Sequence, residues 1–396
     1  MSTRFVLLGL CQVLAGCWTR VATAVLATLS FGAWAQAPAP LELGVLPNVS
    51  ARVLVTQYEP LQSFLSQRLG RFCSVAIGLL CFCLSYVLLS LGSVVLPIVG
   101  LSVGTGLCNA NISATVGTLY TGATERDRAV ARFYSAVNLG ALPSGFCGAW
   151  LVRSSGYPAA FLLSSIATLI ALAFWLSVRK LIPTGIRAGG IEESDRPLPI
   201  KLFLLLISVG VSFFCIFQQS GSTLTLFAKH HTRFRMAGLP LLPPMYQSIQ
   251  AALVIVLAPL LTRLWFRFRM RQYHKLLSGM LCCVLAPAVM AIASLVAKSG
   301  PVSPLWLLVC YGFLAIAEVS VAPIGVAVVS TIAPRRMLGV LMGLWFSAMG
   351  IGNLSAGFVG RLCSHVPFAN LFGLLALLAT LVVFLLGMAR AHFRAV

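Results

Sequence analysis

Acidic side chains are nearly missing from this chain: Asp and Glu together number 8, against 28 Lys+Arg, in 396 residues. Charged residues of both signs make up only 9% of it, and 59% are hydrophobic. Soluble domains carry about 25% charged and roughly 45–50% apolar residues, so a soluble globular chain is excluded. Metal or disulfide chemistry is excluded by the placement of the 12 cysteines, which are scattered through apolar segments without a CxxC pair or a companion histidine cluster. They read as small buried apolar groups. No stretch is left over for a catalytic domain, so neither enzymatic chemistry nor a cofactor is expected. The formal charge of +20 does not call for nucleic acid, because basic residues collect in the cytoplasmic loops of membrane proteins while acids are costly in lipid.

Long apolar runs are what the sequence does have. A bilayer span needs about 20 consecutive apolar residues. From Phe72 onward ten such stretches are predicted, over 72–92, 94–119, 133–152, 158–178, 201–227, 242–266, 273–297, 304–330, 338–360 and 366–388. The expected fold class is therefore all-α, a polytopic membrane protein in contact with the lipid bilayer. Alternate loops divide the basic residues unevenly. One set holds Arg68, Arg71, Arg126, Arg128, Arg132, the long polar loop from Arg179 to Lys201, then Arg263, Arg267, Arg269, Arg271 and Lys275, and finally Arg335, Arg336, Arg390 and Arg394. The other holds only Arg153, Lys229, Arg233, Arg235, Lys298 and Arg361, which places the first set in the cytoplasm. The long loop splits the spans four to six.

Residues 1–37 read as a signal-peptide-like hydrophobic segment: Arg4 and Arg20, short apolar runs, and a small-residue site at Ala33-Trp34-Ala35 followed by Pro38. Residues 38–71 then read as one strand, LELGVLPN from Leu41, and one amphipathic helix with Leu54, Tyr58, Leu61, Phe64, Leu65 and Leu69 at helical spacing. This stretch resembles the start of the periplasmic binding proteins of phosphonate and phosphite ABC transporters. Ser66-Gln67-Arg68-Leu69-Gly70-Arg71 has a second reading, as the cytoplasmic loop between the second and third helices of a major facilitator.

Of the eight acids only Glu318 falls in the middle of a predicted span, between Tyr311-Gly312-Phe313 and Pro323. An ionisable group there costs at least about 2.5–3.5 kcal/mol on insertion scales, and by default it marks a substrate or proton site. Gln218, Gln219, Ser220, Ser222 and Thr223 form a polar patch that favours a water-filled cavity over hydrogen bonding between helices, and Gln247, Ser248 and Gln250 mark the following span in the same way. Gly104 and Gly106, with Asn109 and Asn111, fit close helix packing.

The strings GTGLCNANISATVGTLY from Gly104, FYSAVNLGAL from Phe133, FFCIFQQSGSTLTLFA from Phe213, YQSIQ from Tyr246 and AEVSVAPIGVAVVSTIAPRRMLGVLMGLWF through Phe346 resemble the proton-dependent oligopeptide transporters of the major facilitator superfamily. The resemblance covers residues 72–396. It implies a truncated major facilitator fold of ten family helices, the first two being absent. The expected layout is an incomplete amino-terminal bundle over 72–178, a cytoplasmic linker over 179–200 and a six-helix bundle over 201–396. It also implies import of di- and tripeptides with protons, in the inner membrane of a bacterium. Carried over by position, Glu318 matches the acid that receives the peptide amino group and serves proton coupling, and Asn138 matches an amide that bonds the peptide backbone. Trp345 matches a cavity-lining aromatic, and Gln250 stands where the family usually has Asn. Asn109 stands where the family carries a Lys that binds the peptide carboxylate, Gln218 stands where many members carry an acid, and the ExxER motif of the first family helix is absent. Impaired proton coupling is therefore expected. The competing expectation is an inactive fusion that keeps the carboxy-terminal bundle without transport.

Overall fold

The computed structural model describes residues 70–93, 96–97, 99–101, 103–104, 107–108, 111–112, 123–177, 179, 199–236, 239–243, 245–332, 338–390 and 393. The signal-like and binding-protein-like readings of 1–69, most of the linker, and Asn109 lie outside them. The described residues fall into two compact units that part between 179 and 199.

In the amino-terminal unit, α1 is Arg71–Ser90, an apolar run that starts at Gly70, where φ is 76°. Helical residues follow between 96 and 112. The next helical segment, α2, is Ala123–Ser177, broken at Gly156, whose φ of 80° and ψ of 177° no regular helix accommodates. That break separates the stretches predicted at 133–152 and 158–178. Val75, Leu79, Phe82, Tyr86, Cys108, Ile112, Phe161 and Trp175 form the core of this unit. Two helical segments approach closely where glycine faces glycine: a Cβ on Gly78 would lie 2.9 Å from the carbonyl oxygen of Gly104, and one on Gly104 would lie 2.8 Å from that of Gly78. Small residues of this kind let helices approach in lipid, where no hydrophobic force drives them together. The indole N–H of Trp175 donates to the carbonyl of Phe72 at 3.0 Å and the two rings stack, fastening the end of α2 to the start of α1.

The carboxy-terminal unit begins with α3, Ile200–Phe217, a 3₁₀ turn at Gln218–Gly221, and α4, Thr223–His231. A hairpin of two short antiparallel strands follows, β1 at Arg235–Met236 and β2 at Leu239–Pro240. The remaining helices are α5 (Met245–Arg267), α6 (Gln272–Val296), α7 (Leu305–Ile332), α8 (Leu338–Leu362) and α9 (Phe368–Met388). Helix α6 packs on α7 and α9, α3 on α8, and α5 on α7. Gly279 of α6 sits against Ser320 and Val321 of α7, and Gly352 of α8 against Phe214 of α3, in each case with room for no Cβ.

The architecture is helical, as expected, with one small addition: the turn between α4 and α5 closes as the β1–β2 hairpin, and Thr232 bridges to Val302. The span predicted at 201–227 falls within Ile200–His231, and a 3₁₀ turn at Gln218–Gly221 interrupts its regular α-helix. Seven helices among the described residues are long and apolar enough to cross a membrane: Phe72–Ser90, Trp150–Ser177, Ile200–His231, Met245–Arg267, Gln272–Ser299, Leu305–Val329 and Phe368–Met388. Of the other predicted spans, 94–119 is only partly described, and in 133–152 Asn138, Pro143 and the serines dilute the apolar content.

Candidate functional site

Glu318 is the one acid within the seven spans. It lies on α7, half-buried, two turns beyond Tyr311 and five residues before Pro323. Pro323 has no N–H to offer the carbonyl of Val319, so the backbone next to Glu318 is poorer in internal hydrogen bonds than a regular helix. Across the α5–α7 contact, the amide of Gln250 donates from Nε2 to Oε2 of Glu318 at 3.2 Å. Gln250 itself is buried. A hydrogen bond to an ionised group is among the stronger polar contacts, and in a low-dielectric interior it fixes the direction in which the carboxylate points.

One helical turn away on α5 is Tyr246, and two turns away on α7 is Tyr311. Their rings stack at 5.9 Å with an interplanar angle of 12°. Residues at i, i+4 and i+7 share a helix face, so the Tyr246–Tyr311 pair and the Gln250–Glu318 pair lie along one seam between α5 and α7. The Tyr246 hydroxyl is buried without a partner among the described residues, whereas the Tyr311 hydroxyl donates to the carbonyl of Ser220 at 3.3 Å. These tyrosines were not legible as site residues. Their only signal was the i, i+4 spacing of Tyr246 to Gln250 and the i, i+7 spacing of Tyr311 to Glu318.

The polar patch of the interrupted span is hydrogen-bonded within its unit. Gln219, Ser220, Ser222 and Thr223 are all buried. The Gln219 amide donates to the carbonyl of Cys215 at 2.9 Å, while its Oε1 accepts the hydroxyls of Ser222, at 3.2 Å, and Thr223. The carbonyl of Ser220 accepts Oγ1 of Thr225 at 2.7 Å and Nε2 of Gln247 on α5 at 3.2 Å, besides the Tyr311 hydroxyl. A helix broken in lipid must satisfy its freed backbone groups, and side chains of the neighbouring helices do so here. The patch is the repair of a break, tied to α5 and α7. Gln218 stands at the head of the 3₁₀ turn and is half-buried.

Of the other predicted site residues, Asn138 is buried in α2 of the amino-terminal unit. Asn109 lies outside the described residues. Trp345, expected as a cavity-lining aromatic, packs closely within its own unit. It is 1% exposed, and its indole lies over Gly210 of α3, where a Cβ would come within 3.2 Å of the ring, and over Gly325 of α7, where a Cβ would overlap it. Two glycines on different helices make a slot that the indole fills, so Trp345 is part of the unit's core. No group of three or more metal-ligating side chains occurs among the described residues.

Known proteins are similar to this chain in sequence and in fold. The chain is 28% identical over 336 residues to the peptide transporter YePEPT of Yersinia enterocolitica, covering 65% of this chain and 66% of that one. It is 26% identical over 323 residues to the dipeptide and tripeptide permease A of Serratia proteamaculans, covering 66% and 63%. It thus spans just under two thirds of the length of these curated relatives. Among solved structures, the peptide transporter POT in complex with sulfate overlays with a TM-score of 0.82 at 19% identity, covering 96% of this chain and 94% of that one. The POT family transporter PepTSo overlays with a TM-score of 0.78 at 16% identity, covering 96% and 98%. The POT family profile matches residues 61–190 and 199–387, most of the sequence and nearly every described helix, and this multi-pass membrane protein accordingly belongs to the POT family.

Proposed function

We propose that this chain is a transporter of small peptides, di- and tripeptides, in a bacterial inner membrane, and that it couples weakly to protons. The observation that carries the reading is the Gln250–Glu318 contact, a single acid at membrane depth held by a neighbouring amide. An intramembrane carboxylate marks a pathway for a cation or proton, and the ammonium of a peptide is the complementary charge. In this reading Glu318 receives the peptide amino group and exchanges the proton, Gln250 and Gln218 line its approach, and Asn138 bonds the peptide backbone. The names of the two relatives, a peptide transporter and a dipeptide and tripeptide permease, support the substrate class. Trp345 is left with a packing role.

Weak coupling rests on Asn109 and Gln218, which stand where the resemblance expects a Lys and an acid. A ligand shifts a two-state equilibrium only by its differential affinity for the two states. With both charges replaced by amides, Glu318 carries the proton and the peptide alone. The expected behaviour in proteoliposomes is downhill, weakly pH-dependent peptide movement. Uphill uptake driven by an imposed proton gradient and abolished by a protonophore would overturn this part.

The ten-span architecture belongs to the same proposal: the helical residues between 96 and 112, the first part of α2 and α8 each cross the membrane in addition to the seven spans. The family match begins at residue 61, which supports reading Ser66 to Arg71 as a facilitator loop.

Glu318→Gln keeps the side-chain shape and removes the charge. Loss of a charge-assisted contact costs about 1.5–3 kcal/mol, so dipeptide binding by the purified protein should weaken roughly ten- to hundredfold. Unchanged binding, measured calorimetrically, would remove Glu318 from the site.

A further inference from the structure

The turn that joins α5 to α6 combines two features that topology alone does not explain together. Between Arg263 and Lys275 the sequence reads RLWFRFRMRQYHK: four arginines, one lysine, one histidine and no acid. Arg263, Arg267, Arg269 and Arg271 are exposed. Between them stand Phe266, 88% exposed, and Phe268, 64% exposed. The segment is ordered by its own backbone: Phe268 N donates to Leu264 O at 3.0 Å, Arg269 N to Phe266 O at 3.2 Å and Met270 N to Trp265 O at 2.9 Å. Arg269 takes the left-handed conformation, with φ of 45°, that closes the turn. Lys275 lies over the Trp265 ring, 5.4 Å from its centroid, which holds one cation and one aromatic at the inner side of the turn while the four arginines and two phenylalanines face outward.

Retention of a loop in the cytoplasm accounts for the arginines but gives no reason for two outward phenylalanines in the same seven residues. In water those rings are a cost. At the boundary between acyl chains and headgroups they are favourable, since aromatic side chains concentrate at that level and anchor interfacial segments. Once the rings are seated there, the guanidinium groups next to them stand at the depth of the lipid phosphates, where Arg makes charge-assisted, two-pronged contacts. The nearest acids in sequence are Asp195 and Glu318, the latter at membrane depth on α7, so no carboxylate within the turn competes for these cations.

We propose that the α5–α6 turn is a binding site for anionic phospholipid headgroups, with Arg267, Arg269 and Arg271 holding the headgroup and Phe266 and Phe268 setting its depth. The site is separate from the Glu318 seam and does not depend on what the protein transports.

The test is retention of lipid by the full-length protein, read by native mass spectrometry after detergent purification with phosphatidylglycerol or phosphatidylcholine supplied at equal concentration. The wild-type protein should keep phosphatidylglycerol several-fold better than phosphatidylcholine. Arg267→Gln, Arg269→Gln and Arg271→Gln combined should abolish that preference. Phe266→Ser with Phe268→Ser should lower retention of both lipids and leave the preference. Inorganic phosphate in millimolar excess should not displace phosphatidylglycerol; displacement would mark a site for free phosphate and overturn the lipid assignment. An unchanged preference in the arginine variant overturns the proposal. Should that variant fail to fold, a salt titration of the wild-type protein decides: retention of phosphatidylglycerol that does not fall with ionic strength overturns it as well.

Discussion

In the amino-terminal unit Gly78 and Gly104 bring two helical segments into backbone contact, and in the carboxy-terminal unit Gly352 does the same against α3 while Gly279 lets side chains of α7 come close. The packing device is shared, but the use of polar groups is not. In the first unit two polar contacts between helices lie at different places along them. The Trp175 indole reaches the Phe72 carbonyl at one place. At another the Ser165 hydroxyl donates to the Cys83 carbonyl at 3.1 Å, with the Cys83 thiol 3.2 Å from the Ser165 oxygen. The second unit buries a connected set around the Gln218–Gly221 break and, beside it, the Gln250–Glu318 pair. Close helix packing therefore comes from small residues in both units. The second unit adds a polar interior that ties a broken helix to the helices carrying the acid.

Packing in the second unit should break most severely at Trp345. Trp345→Ala empties the slot between Gly210 and Gly325. In a bilayer the apolar transfer term is weak, and lost contacts and a cavity remain, so the expected cost is about 3 kcal/mol, the lower end for Trp-to-Ala changes in cores. The expected reading is a drop in the thermal midpoint in detergent, larger than that caused by Gln219→Leu or Ser165→Ala.

Gln219→Leu removes the hub of the repaired break. The Cys215 carbonyl loses its side-chain donor, and the Thr223 hydroxyl keeps only the Cys363 thiol nearby, at 3.6 Å. Ser222 retains the Gln218 carbonyl at 3.3 Å, so the loss is partial, about 1–2 kcal/mol. Hydrogen exchange should rise at 215–225 before it rises elsewhere. A uniform rise across α3 to α9 would mean that the break is held by packing alone.

Ser165→Ala sharpens the contrast from the other side. It removes the Cys83 carbonyl's side-chain donor and the weak thiol contact, and in lipid it should cost about 0.6 kcal/mol, barely resolved in a thermal scan. A loss as large as that of Gln219→Leu would erase the difference drawn between the units.

The helices were legible because apolar length alone defines them: the predicted 242–266, 273–297 and 304–330 differ from α5, α6 and α7 by three residues or fewer at either end. Glu318 was legible for a related reason, being one acid in an apolar run. The partners of the polar patch were not. Gln219 and Ser220 are polar in any reading, but whether they face water or one another depends on Gln247 and Tyr311, which lie 27 and 91 residues from Ser220 in the chain. The slot that holds Trp345 is made by Gly210 and Gly325 on two other helices, and in a sequence a glycine announces only an absence. The β1–β2 hairpin falls between two spans, where hydropathy carries no signal of strand pairing.

A carbonyl oxygen has two lone pairs, yet at Ser220 three groups donate to it, from Thr225, Gln247 and Tyr311, at 2.7, 3.2 and 3.3 Å. Acceptor capacity at this atom is oversubscribed, so any one donor can leave while the oxygen stays satisfied. The longest bond is the cheapest to exchange, and Tyr311→Phe should cost less than about 0.5 kcal/mol, below the usual net worth of a hydrogen bond. A thermal scan in detergent should barely register it. The broken helix is thus moored to α5 through Gln247 and to α7 through Tyr311, and either line can be let go while the other still holds.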